Sequence, residues 1–173
     1  EGTREHREIL AAYNGIKPLP RGYRLGEKDA WCAGFVSAAA VMAGVGELYP
    51  LECSCSKIIE KAKGMGIWVE DDRYVPLVGD WVLYDWQAEG DGNCMGAPDH
   101  VGVVIGRENG ELLVVEGNYD NMVKLRKIPV DYGKIRGYVR PEFEEEESVV
   151  RYHTLQEVPG YARATIERLK NDG

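Results

Sequence analysis

Residues 28 to 44 read KDAWCAGFVSAAAVMAG, and nearly every side chain after Trp31 is small or apolar. A helix that is apolar all round has no solvent face, so it belongs in the middle of a fold, packed closely on another element. Asp29 is placed as its N-cap and Gly44 as its stop, which predicts a helix ending near Ala43. Further helices are predicted over 5–13, where EHREILAAY is amphipathic and Asn14-Gly15 ends it, and over roughly 53–63, with Gly64 as terminator. After Gly66 the period changes to that of strands, at 79–86, 100–106, 111–118, 121–128 and 134–141, read as a meander. Helices first and antiparallel strands second predict an α+β fold with N-terminal helices packed on an antiparallel sheet.

The buried helix carries a thiol near its start. With Asp29 as cap, Cys32 would lie near the third helical position, where free backbone N–H groups and the helix dipole favour an anion. A cysteine in such a place is either a small buried hydrophobe or a nucleophile held on a rigid rod. A nucleophile needs a base. Of the three histidines, His6 and His153 read as surface residues, whereas His100 opens the strand HVGVVIG after a Gly/Pro loop. It is an ordinary strand-end histidine or the base.

The following strand supplies Glu116 and Asn118, and hairpin register decides whether they reach the histidine. A two-residue Asn109-Gly110 turn would put His100 and Glu116 on opposite faces. A three-residue loop, Glu108-Asn109-Gly110, would set Gly102 opposite Glu116 and make Glu116 a same-face diagonal neighbour of His100. A triad demands the second arrangement, which is the one expected. Cys32 would then attack a carbonyl, His100 would move the proton, and Glu116 would orient the ring and stabilise the imidazolium. Asn118 would assist, and the Cys32 backbone N–H would help to hold the oxyanion.

The set AWCAGFVS, GDWVLYDW, DHVGVVIG and VVEGN resembles the CHAP domain, a cysteine/histidine-dependent amidohydrolase/peptidase of the papain-like NlpC/P60 superfamily, over residues 8 to 141. The resemblance implies a papain-like fold, with Cys32, His100, Glu116 and Asn118 matching the family's functional positions. It also implies cleavage of an amide bond in bacterial peptidoglycan, within the stem peptide or between muramic acid and L-alanine, as in endolysins and secreted wall hydrolases. The alternatives are a papain-like thiol hydrolase acting on another amide, and a non-catalytic wall-binding or virion protein that keeps the fold. Some CHAP domains hold calcium on an Asp-rich loop before the cysteine. Here that stretch offers Glu27 and Asp29 only, so neither metal nor cofactor is expected. Glu89, Asp91, Asn93 and Asp99 lack EF-hand spacing and read as a loop beside His100.

Trp31, Trp86 and Tyr119 are the expected walls of a substrate groove, with most other aromatics in the core; Asp80 reads as a turn brace. Cys53 and Cys55, spaced too tightly for an ordinary structural zinc pair, read as half-buried thiols on a short helix. The net charge of -8 argues against a nucleic-acid partner, and no apolar run reaches membrane-spanning length. EGTREHREIL is too charged for a signal peptide; the resemblance nevertheless implies a secreted or phage-encoded protein acting on the cell wall, and a monomer is expected. The expected organisation is a catalytic domain over 1–142, an acidic linker over 143–148, and a short helical appendage or the start of a further module over 149–173.

Overall fold

A computed structural model describes residues 1–86 and 96–143. The acidic run beyond Phe143, the expected appendage, His153 and Cys94 lie outside the described residues. Residues 1–142 form one compact unit. Three helices, α1 (Arg4–Asn14), α2 (Cys32–Met42) and α3 (Cys55–Met65), precede six strands. These are β1 (Trp68–Val69), β2 (Trp81–Tyr84), β3 (His100–Glu108), β4 (Glu111–Tyr119), β5 (Met122–Pro129) and β6 (Ile135–Val139). They form a single antiparallel sheet in the order β1-β6-β2-β3-β4-β5. The fold is α+β. No helix among the described residues is long and apolar enough to cross a membrane.

The expected five-strand meander holds only for β2 to β5. β6 does not continue it: the chain returns across the sheet and β6 pairs with β2 on one side and β1 on the other. That choice buries both faces of β2, whose four residues are all inaccessible. Trp81 and Leu83 face α2 and α3 with Val101 and Val139. Val82 and Tyr84 belong to a second core with Val104, Leu112, Val114, Ile128 and Tyr138 on the opposite face.

Helix α2 starts later than expected. Asp29 does not cap it: its Oδ2 accepts from the Gly26 N–H at 2.7 Å, closing a turn of its own. Trp31 takes the cap position without a side-chain hydrogen bond, and Cys32 becomes the first helical residue. From Cys32 to Ala40 the helix is almost wholly buried, as its composition demands; only its end, at Val41 and Met42, reaches solvent. α3 also starts later, at Cys55, and runs through Gly64 to a left-handed Gly66 at φ 74°. Ser37, the one hydroxyl on α2, both donates to the Glu52 carbonyl (2.8 Å) and accepts from the Glu52 N–H (2.9 Å). This clamp fixes the segment leading into α3 against α2. Glu52 is itself fully buried and is balanced by Arg21 (3.1 Å) and Lys61 (3.4 Å). Asp80 braces a turn, accepting from the Tyr74 hydroxyl (2.6 Å) and the Leu77 N–H (2.8 Å).

The β3–β4 hairpin reaches the expected register by a different route. Its tip is the two-residue turn: Glu108 stands opposite Glu111, with Asn109 and Gly110 both at positive φ (51° and 84°). The ladder then slips by one residue between Val104 and Gly106, leaving Ile105 as a bulge. Beyond it Val103 faces Val115, the parity that sets Gly102 opposite Glu116. A second slip, between Glu116 and Tyr119 on β4, holds Asn118 at φ 60°.

Gly117, inside that second irregularity, lies tight against Phe35 of α2 and its cap residue Trp31. A Cβ there would lie 2.4 Å from the Phe35 Cβ and 2.8 Å from Trp31 Cζ3. Gly117→Ala is therefore expected to cost about 1–3 kcal/mol by overpacking, read as a lower midpoint in urea unfolding with little change in slope.

Candidate active site

Cys32, His100 and Glu116 converge where the N-terminus of α2 meets the start of β3. His100 Nε2 lies 3.0 Å from Glu116 Oε2, which leaves Nδ1 as the nitrogen available to the Cys32 thiol, with which the ring interacts. Gly102 makes the histidine–carboxylate contact possible: a Cβ there would sit 2.7 Å from Glu116 Cγ and 2.5 Å from Val114 Cγ1. The other Glu116 oxygen accepts from Arg126 Nε of β5 at 2.7 Å. Sulfur, imidazole, carboxylate and guanidinium thus form a chain of alternating charge in a largely buried setting, where an unpaired charge would be very costly.

Electrostatics follow the geometry. The Cys32 thiol is pulled down to about 5, first by its contact with Cys55, with burial opposing and His100 and the Ala33 N–H adding to the pull. Burial alone would lower the His100 imidazole, but its contacts with Cys32 and Glu116 outweigh burial and push it up to about 9. Burial likewise raises the Glu116 carboxyl, and hydrogen bonds from His100 and Arg126 overcome it, so the group stays below the ordinary range. Both shifts favour the thiolate of Cys32 and the imidazolium of His100. α2 has no side-chain cap, and the Ala33 N–H of its first turn bonds the Cys32 sulfur.

The expected groove residues divide. Trp86 and Tyr119 line one open cleft with His100, Asn118, Asp120, Arg126 and Tyr132. Trp86 stacks on Tyr84 (4.5 Å), and the Arg126 guanidinium lies over Tyr119 (4.2 Å) and Trp86 (5.2 Å). Asn118 reaches the cleft on its left-handed bulge. Trp31 does not wall that cleft: it is 1 % exposed and packs in a core with Leu10, Tyr13 and Leu25. His6, read as a surface residue, is also buried; its ring lies 4.8 Å from that of Trp31, and its Nδ1 accepts from the Gly2 N–H. Asp99 anchors the segment before His100, its Oδ2 accepting from the Trp86 N–H at 2.7 Å. Glu89, Asp91 and Asn93 lie outside the described residues.

Two participants escaped the sequence reading. Arg126 was hidden because it meets Glu116 from the neighbouring strand β5, although the cations in KLRK gave a signal once β4 and β5 were paired. Cys55 is buried rather than half-buried, and its sulfur lies 3.9 Å from that of Cys32.

No family model and no curated protein matches the chain. Among solved structures it is similar to Ly7917 at 16% identity and a TM-score of 0.44, over 79% of this chain and 61% of that one. A second structure, of Ly7917 with the hydrolyzing product of MDP, gives 16% identity and a TM-score of 0.43 over 79% and 62%. The chain thus spans less than two thirds of Ly7917, and likeness at this level bears on neither activity nor substrate.

The ionisation of Cys32 is open to direct measurement. Its alkylation by iodoacetamide is expected to rise with pH around a midpoint near 5, far below the ordinary thiol value of about 8.5. In His100→Ala the midpoint should move upward, because the stabilising imidazolium is gone. A midpoint near the ordinary value in the wild-type protein would contradict the thiolate assignment.

Proposed function

We propose that this protein is a cysteine-dependent hydrolase that cleaves an amide bond of bacterial peptidoglycan. The observation that carries the reading is the Cys32–His100–Glu116 arrangement: a depressed thiol at a helix start, a raised imidazole, and a buried carboxylate 3.0 Å from the ring. The substrate class comes from the resemblance of AWCAGFVS, GDWVLYDW, DHVGVVIG and VVEGN to CHAP domains.

The chemistry follows from the groups. The Cys32 thiolate adds to the amide carbonyl carbon, and the developing oxyanion lies within reach of the Cys32 backbone N–H at the open end of α2. His100 gives its Nδ1 proton to the leaving nitrogen, so the C–N bond breaks and a thioester remains. Neutral His100 then takes a proton from water, the hydroxide attacks the thioester, and the thiolate returns. Glu116 holds the ring throughout and is held in turn by Arg126. The scheme draws on side chains and one backbone N–H of this chain, with water. The aromatic cleft of Trp86, Tyr119 and Tyr132 beside His100 is the proposed seat for the stem peptide or adjoining sugar.

Purified peptidoglycan of several chemotypes, incubated with the protein, should release new free amines whose masses name the bond. Cys32→Ala should abolish release, and His100→Ala should lower it by about 10²–10⁴-fold. Inert walls with a fast-alkylating Cys32 would move the reading to another amide substrate; a sluggish Cys32 would favour a binding protein.

A further inference from the structure

A second thiol beside Cys32 takes no part in the hydrolytic scheme. Cys55 is the first residue of α3, just as Cys32 is the first residue of α2, and the two sulfurs, 23 residues apart in sequence, stand 3.9 Å from each other. The Ser37–Glu52 clamp holds the segment before α3 on α2, so the approach is built into the core and not left to a loose loop. A disulfide requires sulfurs about 2.0 Å apart, so closure asks the two side chains to approach by about 1.9 Å through rotation at helix ends. Cys53 points elsewhere: its sulfur accepts from Arg21 at 3.2 Å.

We infer that Cys32 and Cys55 form a peroxide-responsive thiol pair, in which a hydroperoxide oxidises Cys32 and Cys55 captures it as a reversible intrachain disulfide. The Cys32 thiolate attacks one peroxide oxygen, the O–O bond breaks, and the departing oxygen takes a proton and leaves as water, giving a sulfenic acid. Cys55 sulfur then attacks Cys32 sulfur, the S–O bond breaks, and the hydroxyl leaves with the Cys55 proton as a second water. Two thiols and one hydrogen peroxide become one disulfide and two waters, with two electrons passing from sulfur to oxygen. While Cys32 is a thiolate, the hydrogen bond that Cys55 makes to it, burial and the Cys32 charge hold the Cys55 thiol well above its ordinary range. Oxidation of Cys32 removes that charge and frees Cys55 to attack. The consequence for hydrolysis rests on the reading of Cys32 as nucleophile; the disulfide itself does not.

The test treats the full chain with hydrogen peroxide at neutral pH, blocks remaining thiols, and maps linked peptides without reduction, with amine release from peptidoglycan measured alongside. The expected product is lighter by two hydrogens and linked Cys32–Cys55. Its Cys32 alkylation should fall by about tenfold or more and return with dithiothreitol. In Cys55→Ser the same dose should carry Cys32 to the sulfinic acid, two oxygens heavier and not recovered by dithiothreitol. Linkage of Cys32 to Cys53 or Cys94, or sulfinic acid in the wild type at that dose, would overturn the pairing, as would an unmodified Cys32. A reversible Cys32–Cys55 disulfide in a protein that releases no amines would uphold the pair while removing the hydrolase reading.

Discussion

Glu116 has no exposed surface, and a carboxylate in that position is tolerable only if each of its oxygens meets a cation or a strong donor. Much of the sheet is arranged to satisfy it. His100 of β3 takes one oxygen and Arg126 of β5 takes the other, so three adjacent strands are tied through a single side chain. Gly102 leaves the room in which Glu116 lies. Tyr84, Trp86 and Tyr119 set their rings against the Arg126 guanidinium, which favours the cation. The charge that makes His100 a strong partner for the thiol therefore depends on the packing of residues that never touch the thiol.

The helical layer makes a matching contribution from the other side. α2 and α3 both present first turns near the sulfur of Cys32. Neither first turn has a side-chain cap, and the Ala33 N–H of α2 bonds the Cys32 sulfur. Ser37 is what keeps the two helix ends in step. By pairing with both backbone groups of Glu52, one hydroxyl does the work of a short strand pair between elements that share no sheet.

The sequence carried the site better than the strand order. An all-apolar helix near Cys32 and two alternating strands carrying His100 and Glu116 are local patterns, whereas the shared face of His100 and Glu116 rests on the Ile105 bulge, of which the Asn-Gly turn gives no sign. The position of β6 was not legible either, because pairing with β2 is a long-range choice driven by the need to cover both faces of WVLY. The start of α2 was misplaced because Asp29 had a nearer donor in Gly26, and local turn geometry prevailed over helix capping. Trp31 and His6 were misjudged for a common reason: each is amphipathic by composition, and the docking of α1 on α2 buries both. Arg126 and Cys55 depend on contacts between elements that no single segment encodes.

Ile105 carries a separate lesson. The hairpin tip keeps its preferred Asn-Gly turn, yet that turn alone would have sent His100 and Glu116 to opposite sides of the sheet. The spare residue absorbs the mismatch like slack in a belt, so the tip and the site are tuned independently. A hairpin one residue shorter on β3, with no bulge, would place the same two side chains in the same relation. The interval of 16 between His100 and Glu116 is thus not a fixed signature of the arrangement. What the chain preserves is a face, and the count of residues that delivers it can change by one without moving the chemistry.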